Sequence, residues 1–283
     1  MTLDLNGFAL TGVPGSLDGI HANFFGVKSL VIRNGSVREW GSNGISAANA
    51  AESRVEGVLA ANNLGGGIEI GPRSIVAGCT ASGNGANGIF ADQGSTVDHS
   101  TAATNGLVGI STGQSVVVIG STAVFNAIGG IAANAGTTVM DSTAQSNGTG
   151  FTVATGGRVS RSIARQNSTG FLLSDGAAVM DSVATGNTDD GIRAASRCVV
   201  ARNTTQGNTN DGIEATGNQN RIEGNHSTSN GSGISVFGTA NLVVTNSVAQ
   251  NSSFAFLIVG GGNLVGPISS DPTTAGPWAN FDQ

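Results

Sequence analysis

The chain has 283 residues, of which 45 are Gly and 27 Asn, with 11% charged residues, 5% aromatic residues and no Tyr. Twelve Lys plus Arg against eighteen Asp plus Glu give a formal net charge of −6 and a pI near 4.9, so nucleic-acid binding through clustered cations is excluded. No apolar run approaches the roughly 20 residues that cross a bilayer, and no membrane span is expected.

The opening residues Met1–Phe8 lack the basic start and apolar core of a signal peptide and read directly as structured chain. Either the protein is intracellular or a signal peptide lies outside the given chain, and the extracellular or cell-surface location is the one expected. From Gly44 onward a repeat governs the sequence. Gly followed by a large apolar residue recurs at Gly44, Gly67, Gly88, Gly109, Gly130, Gly150, Gly170, Gly191, Gly212 and Gly233, in steps of 20 to 23 residues. A β-branched ladder keeps the same step from Ile32 and Val55 to Ile222 and Val243, and an Asn ladder keeps it from Asn63 to Asn251. Between them come a small residue, often Ser (Ser100, Ser121, Ser142, Ser162, Ser182), and then Ala (Ala81 to Ala184).

Apolar residues spaced by two, in runs of three to five bounded by Gly and Asn, predict short strands. A period near 21 residues built from them predicts an all-β parallel β-solenoid of about 11 to 12 coils. Equivalent residues of adjacent coils then lie about 4.8 Å apart and stack in columns. Asn at a corner tolerates left-handed backbone angles and bonds the Asn of the next coil. The solenoid is expected over residues 1–263. The tail 264–283, with Pro267, Pro272, Pro277 and Trp278, is expected to fold over the last coil, since proline cannot extend a ladder. The N-terminal coil is expected to be uncapped, which invites end-to-end self-association.

The pattern resembles the right-handed parallel β-helix proteins of the pectate-lyase-like superfamily. Leu3-Asp4-Leu5-Asn6-Gly7-Phe8 and Ile32-Arg33-Asn34-Gly35 look like the early coils of its bacterial extracellular members. The resemblance implies the right-handed turn, which the preference of parallel crossovers supports. It does not choose among lyases, hydrolases, epimerases and adhesins.

Chemistry concentrates in one place. Asn187-Thr188-Asp189-Asp190-Gly191-Ile192-Arg193 is followed one period later by Asn208-Thr209-Asn210-Asp211-Gly212-Ile213-Glu214. Asp190 should stack on Asp211, which is repulsive unless a cation or water intervenes, and Arg193 should stack on Glu214. Asp190, Arg193, Asp211 and Glu214 are the candidate catalytic residues, two carboxylates acting as acid and base on a glycosidic bond. Asp189, Asp190 and Asp211 are candidate oxygen ligands for Ca²⁺, though no cofactor is required. The plainer reading is solvated turn residues beside Gly. Asn187-Thr188-Asp189-Asp190 is similar to fragments of polygalacturonase motifs, but the companion Gly-His-Gly and Arg-Ile-Lys elements and the epimerase Asp-Pro-His motif are absent. Two functions follow: a structural or polysaccharide-interacting module, with acidic or neutral polysaccharide as partner, or a lyase or glycoside hydrolase using the 187–214 cluster. Cys79 and Cys198 are expected to be unpaired buried residues. His21, His99 and His226 fall in different coils and cannot share a metal.

Overall fold

The computed structural model describes residues 1–13, 15–22, 26–271, 273 and 275–283; Pro272 of the tail lies outside the described residues. Every regular element among them is a strand and every assigned pairing is parallel, so the chain is a parallel β-solenoid of about 12 turns. It divides into two compact units, residues 1–148 and 149–283.

In the first unit the Gly-Ile segments form one wall. Ile68, Ile89 and Ile110 are Cα partners in register, and Ile110 pairs in turn with Ile131. Their side chains are at most 1% exposed. A second wall carries two columns, Val55 through Val139 and Ala81 through Ala144, both fully inward. The second unit repeats the scheme with Phe171, Ile192, Ile213, Ile234 and Phe256 in one column. There Phe151 and Phe171 stack with ring centroids 4.8 Å apart. Like residues on like residues fill the tube because a 21-residue step returns each side chain to the same position one strand spacing higher.

The Asn ladder closes the corner. In the first unit Nδ2 of Asn63, Asn84, Asn105 and Asn126 donates to Oδ1 of the next Asn at 2.9 to 3.0 Å. The same Oδ1 also accepts the preceding ladder residue's backbone N–H. The left-handed residue expected at the ladder lies instead one position earlier, at Asn62, Gly83, Thr104 and Phe125. The ladder Asn must keep ordinary angles to aim its amide along the axis. That amide also explains the Gly before each Ile: a Cβ on Gly109 would sit 2.5 Å from Asn126 Nδ2.

The Ser column changes character in the second unit. Ser182 N–H donates to Asn203 Oδ1, and Asn203, Asn225, Asn246 and Asn280 continue as a second Asn ladder with Nδ2–Oδ1 distances of 2.9 to 3.0 Å. Asn280 belongs to Asn280–Asp282, a strand of the tail that pairs with Ser247–Ala249. Leu264–Val265 pairs with Leu242–Val244, and Trp278 stands 64% exposed.

Candidate functional site

The 187–214 residues come together on the outward face of the Gly-Ile wall of the second unit. Two positions of the repeat supply them. The residue before Gly gives Asp190 and Asp211, and the residue after Ile gives Arg193 and Glu214, which are Cα partners. Arg193 Nε donates to Glu214 Oε2 at 2.5 Å. Its Nη2 lies 2.7 Å from Asp190 Oδ2 and 3.5 Å from Asp189 Oδ2. The guanidinium therefore pairs with Asp190, Asp189 and Glu214, while Asp211 meets Asp190 through its backbone N–H.

Asp190 and Asp211 are not solvated turn residues: Asp190 is fully buried and Asp211 is 6% exposed. Asp190 Oδ1 accepts from Asn210 Nδ2 at 2.9 Å and from Asp211 N at 3.1 Å. Its Oδ2 has no aligned hydrogen-bond donor; the short contact to Arg193 is an ion pair whose N–H points elsewhere. Asp211 Oδ1 accepts from Ser235 Oγ at 2.9 Å. Ser235 stacks on Glu214 one coil on, but a lone Ser on a strand carries no signal in sequence.

Burial pushes the Asp211 carboxyl up, against the pull of Ser235 and Ser232. Burial, and then Asp190, push Glu214 up as well, with Arg193 opposing. Burial works against the Arg193 charge, but Asp190 and Glu214 outweigh it and hold the guanidinium above its ordinary value. The arrangement fixes one cation between three carboxylates.

Asp189, Asp190 and Asp211 do not converge as Ca²⁺ ligands. Among the described residues no group of three or more His, Cys, Asp or Glu is placed to hold a metal ion, and Arg193 already pairs with Asp189 and Asp190. His21 and His99 each bind a neighbouring Asp through Nδ1, at 2.8 and 2.6 Å, while His226 is flanked in register by Thr204 and Ser247. Both cysteines are free and buried. Burial raises the Cys79 thiol to about 11 and pushes Cys198 up too.

These coils define a class of protein, the parallel β-helix. The chain belongs to the family described as right handed beta helix region, whose model matches residues 18–167, and to that described as periplasmic copper-binding protein (NosD), matched over residues 96–257. The turn is thus right-handed. Among solved structures the chain is similar to the Azotobacter vinelandii mannuronan C-5 epimerase AlgE6 A-module, at 14% identity and TM-score 0.64 over 91% of each chain. It is also similar to the periplasmic alginate epimerase AlgG, at 14% identity and TM-score 0.62 over 91% of this chain and 75% of that one. Pectate lyase Pel9A gives 16% identity and TM-score 0.60 over 98% and 82%. Identities this low show the fold alone. No curated protein matches the sequence.

The donors present do not fit copper. A copper site gathers thiolate, imidazole or thioether groups at one point. Within residues 96–257 the soft donors are His99, Met140, Met180, Cys198 and His226. Cys198 is buried with Sγ on the carbonyls of Ser174 and Ser196, His99 is bonded to Asp98, and no group of three or more His, Cys, Asp or Glu among the described residues is placed to hold a metal.

Proposed function

We propose that the chain is a polysaccharide-binding β-helix module acting outside the cytoplasm, with its ligand lying along the outward face of the Gly-Ile wall in the second unit. The observation that carries this reading is the strip formed by Thr152, Leu172, Arg193 and Glu214, one residue per coil in register; it ends at Ser235, which is fully buried. Spaced by about 4.8 Å, such a strip presents one side chain per coil to a repeating polymer. Asp190, wholly buried, holds Arg193 in place, and Arg193, Glu214 and Asp189 meet the ligand. The polysaccharides named for the epimerases and the lyase of the same fold and the periplasmic description of the family support the ligand class and the location.

A second reading makes the cluster catalytic, with Glu214 as acid, Arg193 stabilising negative charge and Asp211 as partner carboxyl. The raised Glu214 and Asp211 favour it, because a general acid needs such a shift. The experiment is incubation with polyuronates and neutral glycans, with and without Ca²⁺, following unsaturated product, reducing ends and binding together. Binding without turnover, weakened in Arg193→Ala, is the expected result. Turnover abolished in Glu214→Gln would establish the enzyme instead, and neither signal on the folded protein would sink both.

The same proposal includes end-to-end self-association. Strand Thr2–Asp4 pairs with Val31–Arg33, and no second partner for it exists among the described residues. An open edge of this kind templates a strand of another copy. Sedimentation velocity should show mass rising with concentration; a single monomeric species throughout would refute it.

A further inference from the structure

The first unit holds a second polar constellation at the same two repeat positions, where the carboxylates are differently placed. The residue after Ile gives Glu69 and Phe90, which are Cα partners. The residue before Gly gives Asn43, Gly66 and Asn87, and here Gly66 leaves a gap. Asn43, Gly66, Glu69, Asn87 and Phe90 border a pocket of ≈ 320 Å³, at the small end of small-molecule sites.

Its groups are held from behind. Asn43 N–H donates to Asp18 Oδ1 at 2.9 Å, and Asp18 Oδ2 meets His21 Nδ1 at 2.8 Å. Asn43 Oδ1 accepts the Gly66 N–H at 2.6 Å, and Asn43 Nδ2 reaches Glu69 Oε2 at 3.4 Å. Asn87 Oδ1 is taken by the Val108 N–H at 3.2 Å. That leaves Glu69 Oε1 as an acceptor and Asn87 Nδ2 as a donor with no partner among the described residues, beside the half-exposed ring of Phe90.

From this juxtaposition we infer that the Asn43–Glu69–Asn87–Phe90 pocket binds an uncharged pyranose unit, its C–H face on Phe90 and its hydroxyls bridging Glu69 and Asn87. A hydroxyl pair both donates and accepts, which matches one free acceptor beside one free donor. An aromatic wall supplies apolar contact to the ring face. No Lys or Arg borders the pocket, and the Asp18 carboxylate lies close enough to act on Glu69, so a uronate or phosphate would meet negative charge alone. Burial, then Asp18, push the Glu69 carboxyl up, so its protonated, donating form persists to higher pH than that of an ordinary glutamate. The inference stands apart from the 190–214 reading.

The test is a titration of the ¹⁵N-labelled full chain with cellohexaose, mannohexaose and laminarihexaose, with trigalacturonate and a chitosan hexamer as charged controls. A neutral hexasaccharide at millimolar concentration should shift the Asn43 and Asn87 side-chain amides and the Gly66 amide. Phe90→Ala should weaken binding by about tenfold and Glu69→Gln by a few-fold, each with the rest of the amide spectrum unmoved. Three results would overturn the inference: none of the neutral sugars moves those amides, a charged control binds more tightly, or Phe90→Ala leaves the affinity unchanged. Shifts confined to residues around Arg193 would do the same while leaving the earlier proposal intact.

Discussion

At the scale of the residue, Asp190 shows how burial decides what a charge does. With no exposed surface it gives its two oxygens to Asn210, the Asp211 backbone and Arg193. Asp190→Ala would strand a backbone N–H and remove one of the counter-charges of Arg193. Losing one member of a buried pair typically costs 3–5 kcal/mol, and because Arg193 is 35% exposed water recovers part of it. Urea unfolding should therefore show a loss of about 2–3 kcal/mol, against about a few tenths for Glu56→Ala, which loses only an exposed ion pair with Arg54. Asp211 yields a prediction in pH. Its folded pKa is raised, so the folded state holds the proton more tightly than the unfolded chain. That contribution is present in acid and is lost as pH rises from the ordinary carboxylate value of 3.8 through the folded one. Asp211→Asn removes the ionisation and keeps the oxygen that Ser235 bonds. Its urea midpoint relative to the parent should climb as pH rises above the ordinary carboxylate value; a difference that stays constant as pH rises would mean Asp211 ionises freely in the fold.

At the scale of the element, the ladder is the unit that carries stability. Asn105 takes two donors on one oxygen, the Asn84 N–H and Nδ2, and gives its own amide to Asn126 and the Ala81 carbonyl. Asn105→Ala leaves several buried groups unpaired at once, at about 1–3 kcal/mol each, and should lower stability by about 3 kcal/mol or more. Asn105→Asp would keep the acceptor but set a buried carboxylate oxygen against Asn126 Oδ1 and the Ala81 carbonyl, so at neutral pH a loss at least as large is expected in the same unfolding experiment, easing in acid as the carboxyl gains a proton. The ladders were legible in sequence because each column repeats one residue type at one step, and the stacked Arg193 and Glu214 followed from the same register. What stayed hidden depends on neighbours rather than on period. The burial of Asp190 goes with the neighbours that cover its two oxygens, Arg193 in its own coil and Asn210 with the Asp211 backbone in the next. The left-handed residue before each ladder Asn was masked by variety, since Asn62, Gly83, Thr104 and Phe125 share a backbone angle and nothing else. The Glu69 pocket was invisible because its residues are scattered over three coils, and a Gly gap announces nothing by itself.

At the scale of the molecule, a solenoid couples each coil only to the next, so its stability is a sum of local terms rather than one all-or-none quantity. The two buried thiols make this measurable. Cys79 lies in the first unit and Cys198 in the second, and burial, which raises Cys79 to about 11 and pushes Cys198 up, keeps both poor nucleophiles until their coils open. Pulsed thiol labelling along a urea series, with each site read by peptide mass, should report the opening of each region separately. Asn105→Ala touches the ladder that runs from Asn84 to Asn126, close to Cys79, whose N–H is bonded to Ser100 Oγ one coil on. The variant should shift Cys79 labelling to lower urea and leave the Cys198 midpoint nearly in place. Equal shifts at both thiols would show that the whole chain opens as one cooperative body, and nearest-neighbour coupling would then be too weak a description of how these coils hold together.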